Sequence, residues 1–263
     1  MIAWMLAAAA AATGPAPLAP KGTWTVDYEE SMCVLSHDFG EGGDRVTIGF
    51  RPWPMGEETE LAVLWPDKGY GVFGGNAEVQ LLPKGEKVSG SYSGYATIKM
   101  GKLATITVDQ DKLGDLREAS SVSVNLIHRK QWVVSLPPAA KAVAALKACS
   151  DDLLKSWGMD PDEQQHLSQG PKGNPAQYFG PDQYPPEAIR AGQQGRVVAI
   201  GTVGIDGRVT GCMVAVTSGS AILDQTTCTI MKSSMRYTPA LDLSGKPIVS
   251  HTVLPVRWVL PED

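Results

Sequence analysis

RVVAIGTVGIDGRVTGCMVAVT, residues 196–217, holds two β-rich runs, Arg196 to Ile205 and Arg208 to Thr217, on either side of Asp206-Gly207. Asp-Gly tolerates the positive φ angles of a type I′ turn, so the stretch predicts a two-stranded hairpin. Upstream, Tyr184-Pro185-Pro186-Glu187-Ala188 reads as a helix start. Proline is preset near the helical φ, an acid sits in the first turn, and Gly192 supplies the stop. Downstream, Ser218-Gly219-Ser220 breaks the second run, after which Leu223, Thr227, Ile230, Met231 and Ser234 recur at helical spacing. Arg236-Tyr237-Thr238-Pro239 ends that helix, Ser244-Gly245-Lys246-Pro247 turns the chain, and a last long strand is expected over Ile248 to Leu260. Helix, hairpin, helix and strand in this order close as a small antiparallel sheet with helices on one face, an α+β arrangement.

The pieces Gln183-Tyr184-Pro185, Gly195 with Val197, Val203 with Asp206-Gly207-Arg208-Val209, Ser218-Gly219, Leu223-Asp224 and Arg236-Tyr237 with Pro239 stand in one register. Together they resemble the signature of the TonB C-terminal domain family. The sequence departs from that pattern at Gly201, where a bulky strand residue is usual, and in a helix-to-proline segment one residue longer than in the best-known transporter partners. A subgroup with a cysteine pair, as here at Cys212 and Cys228, shares the longer spacing. The resemblance implies that the final strand is a sheet edge able to accept an extended segment of a protein partner such as a TonB-dependent outer-membrane receptor. Strand addition of this kind relies on main-chain hydrogen bonds. The partner-binding residues it implies are Gln183, Tyr184, Pro185, Ile248, Val249, His251, Val253 and Arg257. Pro255 lies among them as a defence of the edge.

Alternation along the last strand puts Leu254, Val256, Trp258 and Leu260 on the face expected to pack under the helices, and His251, Val253, Pro255 and Arg257 on the other. The first hairpin strand is apolar on both faces. The resemblance turns Val197, Ala199, Val203 and Ile205 toward the helices, so Val198 and Ile200 are expected beneath a β-rich domain or a second protomer.

Residues 1–12 are an apolar, alanine-rich run ahead of Gly14-Pro15-Ala16-Pro17, with no Lys or Arg before it. Residues 1–20 are therefore expected to be a signal peptide, because the apolar core is far short of the roughly 20 residues that span a bilayer. A short inner-membrane anchor is the alternative. Four cysteines suit an oxidising compartment, where an even number is usually paired, and periplasmic export is the expectation. Cys212 and Cys228 fall within one supersecondary unit and are read as a pair, which leaves Cys33 with Cys149. Against metal binding, there is no CxxC or HxxxH spacing, and His37, His128, His166 and His251 are scattered.

With 263 residues, 43% hydrophobic and 19% charged, the chain can build two cores. A net charge of −5 without a basic block gives no footprint for nucleic acid. Short apolar runs between turn signals recur from Trp24 to Ser135, so residues 21–158 are read as a mainly β domain, a sandwich or a curled sheet. Gly71 to Gly75 is read as a loop, and Leu113 to Ala119 as a helical turn. A helix ends the domain: Val143, Leu146, Cys149, Leu153 and Leu154 recur at helical spacing after Pro137-Pro138, and Trp157-Gly158 closes it. Residues 159–180, punctuated by Pro and Gly without an apolar period, read as a linker ahead of a C-terminal domain at 181–263.

No catalytic frame is present. Thr217-Ser218-Gly219-Ser220 lacks the G-x-S-x-G setting of a nucleophile turn and reads as a strand-to-helix turn with an N-cap serine. Asp206 reads as a hairpin residue, and Asp224 as a first-turn acid. The expectation is a non-enzymatic periplasmic interaction protein without a cofactor, with homodimerisation left open. The second reading is a secreted or periplasmic binding or structural protein that uses the TonB-like fold as a scaffold. A cleaved leader and a short linker argue against energy transduction from an inner-membrane motor.

Overall fold

The computed structural model describes residues 16–29, 31–55, 58–99 and 101–260; of the leader expected over 1–20, residues 1–15 lie outside them, whereas Leu18 and Pro20 belong to the β-rich domain, Leu18 bridging to Val134 and Pro20 opening the first strand. The first part of the chain forms β1 (Pro20–Glu29), β2 (Met32–Phe39), β3 (Val46–Pro52), β4 (Glu58–Trp65), β5 (Gly71–Leu82), β6 (Val88–Thr97), β7 (Gly101–Asp109), a single helical turn α1 (Gln110–Leu113), β8 (Ser121–Leu126) and β9 (Lys130–Ser135). All neighbours pair antiparallel in the order β1-β2-β3-β4-β7-β6-β5-β8-β9. Leu18 joins the two ends. Its N–H donates to the Val133 carbonyl at 2.8 Å, and its own carbonyl accepts from the Ser135 N–H at 2.9 Å, so the curled sheet closes on itself. Closure satisfies backbone groups that an open edge would leave to water or to another chain. Side chains alternate accordingly, with Leu35, Phe39, Ile48, Leu61, Val63, Val79, Ile106, Val122 and Val124 in one buried core.

Gly71 to Gly75, expected as a loop, begins β5 and pairs with β6 from Gly71↔Ala96 to Gly75↔Tyr92. Glycine carries no side chain to show a period of two, and here the close approach of backbones decides the structure. A Cβ on Gly94 would lie 2.5 Å from the Leu103 carbonyl and 2.6 Å from the Phe73 ring.

α2 (Ala140–Ser156) follows and packs on β1 and β2. A disulfide joins Cys149 to Cys33 of β2, with Cα atoms 6.1 Å apart, and Leu146 and Cys149 enter the core of the curled sheet. The segment expected to be a linker is structured. It carries a 3₁₀ turn at Glu163–His166, then β10 (Leu167–Gln169) and a second 3₁₀ turn at Pro175–Tyr178; another, at Pro181–Gln183, opens the C-terminal stretch. The remaining elements are α3 (Pro186–Arg190), β11 (Gly195–Val203), β12 (Val209–Val216), α4 (Ala221–Ser233), β13 (Ala240–Asp242), β14 (Pro247–Ile248) and β15 (Ser250–Trp258). They form two three-stranded sheets, β12-β11-β15 and β10-β13-β14.

Two expectations change here. The hairpin turn is not type I′, because Gly207 has φ +75° whereas Asp206 is not in the left-handed region. The Gly204 N–H donates to the Arg208 carbonyl and the Gly207 N–H to the Gly204 carbonyl, which makes a three-residue loop over Ile205-Asp206-Gly207. Asp206 Oδ1 accepts from the Arg208 N–H at 3.0 Å and holds this form. The final strand is also shorter than expected. Pro247-Ile248 pairs with β13 in the other sheet, and β15 begins at Ser250.

The central strand of the β12-β11-β15 sheet, β11, is buried on both faces. Val197, Ala199, Val203, Leu254, Val256 and Trp258 pack under α3 and α4 with Ala188, Leu223 and Met231. Ile205 does not join them; it lies exposed in the hairpin loop. Val198, Ile200 and Val253 on the opposite face are covered by Leu154 and Trp157 from the end of α2, so the β-rich domain of the same chain supplies the cover. Gly201 has a local reason, since a Cβ there would stand 2.7 Å from the Met231 Cε and 3.3 Å from Thr252 Cγ2. The second disulfide, Cys212–Cys228, ties β12 to α4. Ser220 caps α4 by accepting from the Leu223 N–H. Asp224 accepts from the Ser218 N–H at 2.9 Å, from Ser218 Oγ at 2.7 Å and from Thr217 Oγ1 at 2.5 Å. Burial works against its charge, yet these three donors hold the carboxyl below the ordinary value.

Candidate strand-addition edge

β12 and β15 are the outer strands of their sheet, and they differ. β12 meets β11 through two register shifts, between Val198 and Ala199 and between Thr202 and Val203, and a disulfide fastens it to α4. Bulged edges make poor templates for another strand. β15 pairs with β11 without interruption from Ser250↔Val203 to Trp258↔Gly195.

The direction of the β15 amides follows from one contact. The His251 N–H donates to Glu163 Oε1 at 2.8 Å rather than to β11. Outward and inward groups alternate along an antiparallel strand, so Val253, Pro255 and Arg257 present their backbone groups outward with His251. Glu163 also takes His251 Nδ1 at 2.7 Å and so occupies the first outward position on both main chain and side chain. Pro255 has no N–H. The donors left on this edge are the amides of Val253 and Arg257.

A trough follows the same edge. Three adjoining hollows of about 160, 540 and 200 Å³ run from Thr252 to Val259. One wall is the Gly173–Phe179 segment, and the other includes Trp53 and Glu58 from the β3–β4 hairpin. At the far end Trp258 is held edge-on by Phe179 and Tyr184, with ring centroids at 5.8 and 5.2 Å, and its Nε1 donates to Thr227 Oγ1 at 3.0 Å.

The side chains expected at the binding surface are not all displayed there. Tyr184 is buried, and its hydroxyl donates to the Gln193 carbonyl at 2.5 Å, so its ring supports the end of the trough. Gln183 is exposed, with its Oε1 accepting from the Gly180 N–H, and Pro185 precedes α3. Ile248 and Val249 are exposed but lie beyond the start of β15. Val253 offers its backbone to the edge while its side chain is buried against α2. Arg257 is exposed at the other end.

Sequence reasoning missed Glu163, Trp53, Phe179 and Arg196. Glu163 and Trp53 come from distant segments and carried no local signal. Arg196 could have been found by aligning the hairpin with the last strand, since it stands directly opposite Arg257. Beside it, Arg51 pairs with Glu60, and its Nη1 approaches Met32 Sδ at 3.0 Å. Burial, and then the neighbouring Arg196 charge, lowers the Arg51 pKa to about 10. Arg196 is lowered as well, chiefly by burial; Glu29 favours its charge and Arg257 opposes it. Among the described residues no cluster of His, Cys, Asp and Glu is suited to a metal ion, and no helix is long and apolar enough to cross a membrane.

Residues 181–260 match the family described as the Gram-negative bacterial TonB protein C-terminal domain. No curated protein and no solved structure matches the chain.

Proposed function

From a TonB C-terminal domain at residues 181–260, we propose that this chain is an exported, periplasmic interaction protein of the TonB kind. In this reading the outer edge of β15 takes up an extended segment of an envelope partner, an outer-membrane receptor of TonB-dependent transport. The observation that carries it is the uninterrupted β15 edge, with outward amides at Val253 and Arg257, inside the matched region. Main-chain hydrogen bonds from such an edge bind an added strand without special side chains. The two disulfides support an oxidising compartment. Within this reading the domains run over 21–158 and 181–263, with residues 159–180 joining them and walling the trough.

A second reading has its own observation. Glu163 on the His251 amide and the missing donor at Pro255 are both devices that keep an edge from pairing, which suits a structural or binding protein with a closed scaffold.

Titration of the isotopically labelled protein with an extended receptor-derived peptide separates the two. Strand addition moves the amides of Val253 to Val259 and those near Tyr184. Pro255→Ala restores one donor and tightens binding about fivefold, the effect of one net hydrogen bond of about 1 kcal/mol. No movement along β15 at millimolar peptide leaves the scaffold reading standing.

A further inference from the structure

The curled sheet carries an apolar tip at the end away from the C-terminal domain. β4 runs from Glu58, which borders the β15 trough, to Trp65, which leads into the loop 66–70 on the order of 20 Å away. At that end Tyr70 and Val72 are 81% and 82% exposed, and Ile98 in the β6–β7 turn is 50% exposed. Val72 stands directly opposite Tyr95, Tyr95 opposite Leu103 and Leu103 opposite Leu64, so an apolar row crosses the outer face of β5, β6, β7 and β4. Their chain neighbours Val63, Ala96 and Ala104 are buried in the domain, and alternation then sends the row outward. The loop 66–70 lies against β6 and β7, since a Cβ on Gly69 would stand 3.5 Å from the Ala96 Cβ and 3.7 Å from the Lys102 Cε. β5 pairs with β8 only from Ala77 onward, so its first residues project past that neighbour.

A contiguous set of exposed apolar side chains marks an interaction surface, and the charges around this one select its partner. The chain is acidic overall, with a net charge of −5, yet residues 66–70, 98–102 and 127–130 bring Lys68, Lys99, Lys102, Arg129 and Lys130 to this end against one carboxylate, Asp67. Lys102 and Lys130 share Asp67 at 3.7 and 3.8 Å, while Lys68 and Lys99 are exposed beside Tyr70 and Ile98. Glu41 and Asp44 belong to the β2–β3 turn on the far side of β4, and Glu41 is paired with Lys21. We propose that this tip docks on an anionic lipid bilayer. Tyr70 and Tyr95 suit the headgroup level, Val72 and Ile98 the acyl boundary beneath it, and Lys68 and Lys99 the lipid phosphates. A projecting tip fits a fluid surface that yields around it, whereas a second copy of this chain would set the same lysines against each other across a two-fold axis. Docked in this way, the chain holds its β15 edge clear of the bilayer, whatever that edge binds.

The test is co-sedimentation of the protein, expressed as the full chain, with vesicles of phosphatidylglycerol and phosphatidylcholine in equal parts and with vesicles of phosphatidylcholine alone. The wild type is expected to favour the anionic vesicles, with the preference shrinking as salt is added. Lys68→Gln with Lys99→Gln should lower partitioning onto anionic vesicles about thirtyfold, at about 1 kcal/mol for each lysine near the surface. Val72→Ser with Ile98→Ser should lower it about tenfold through lost apolar burial. All four side chains are exposed, and melting temperatures equal to that of the wild type show that the variants fold. Absence of wild-type binding to anionic vesicles overturns the proposal. Binding equal in the wild type and in both variants overturns it as well, assigning the membrane contact to another segment such as the apolar run 1–12. A lipid-free dimer in sedimentation velocity that the Val72→Ser, Ile98→Ser variant dissolves makes a second copy the occupant and also overturns it.

Discussion

Replacing Trp157 by alanine tests how the two halves of the chain support each other. The indole sits at the end of α2 and, with Leu154, covers Val198, Ile200 and Val253. The backbone N–H of residue 157 donates to the Leu153 and Leu154 carbonyls, bonds that alanine keeps, so the helix end survives and only packing is lost. Truncating a buried tryptophan to alanine costs about 3–5 kcal/mol. Trp157 retains 8% exposure at a seam that can relax, so the lower end, about 3 kcal/mol, applies. The core of the curled sheet, with its Cys33–Cys149 bond, is a separate cluster that Leu153 links to this seam, and the loss should fall chiefly on the β12-β11-β15 sheet. Native-state hydrogen exchange read residue by residue provides the assay. Amides of β11 should exchange about a hundredfold faster, since 1.4 kcal/mol is a factor of ten, while those of β4 and β7 keep their rates. Unchanged β11 rates would refute the claim that α2 stabilises the sheet. An equal acceleration in β4 and β7 would refute the idea that the halves open separately.

Glu163→Ala removes both bonds to His251, one of them from a main-chain donor to a carboxylate; its amide should then exchange about tenfold faster or more, as measured by the same method. Gly207→Ala would place a Cβ 1.9 Å from the Tyr237 carbonyl at φ +75°, so a loss of at least ~2 kcal/mol is expected in urea unfolding, more than the 1 kcal/mol or so of the conformational term alone. Asp224 has a folded pKa below its unfolded one. Its contribution is therefore fully present above the ordinary carboxylate value near 4 and is lost as pH falls through the lower folded value. Asp224→Asn should lower the melting temperature at pH 7, and the difference from the wild type should close under acid; a difference constant down to pH 2 would contradict the assignment.

Much of this architecture could be read locally. The β-rich runs of residues 21–136 announce themselves because a half-buried strand must alternate, and Val122, Val124 and Leu126 do so in the sequence as they do in the core. Ser220 and Gly192 mark helix boundaries through chemistry confined to one turn, the cap on the Leu223 N–H and a φ of +63°. The disulfide pairs followed from the cysteines' elements, and they form as Cys33–Cys149 and Cys212–Cys228. The apolar outer face of β11 demanded a cover, but Val198 and Ile200 could not say whether another chain or this one provided it. α2 answers that through Leu154 and Trp157. The turn type escaped because Asp-Gly serves several turns, and the choice rests on Gly204 bonding across to Arg208.

For the candidate site the division is sharper. Alternation along residues 250–258 assigned the faces of the last strand, since side-chain direction in a strand is a property of position alone. The resemblance carried by Tyr184-Pro185, Asp206-Gly207 and Arg236-Tyr237 located the edge. Which of its amides face outward, which is already taken by Glu163 88 residues earlier, and which charge stands opposite Arg257 depend on pairings between distant segments. Such pairings leave no period in the sequence, because the energy that selects them comes from burying both faces of β11 at once, under α3 and α4 on one side and α2 on the other.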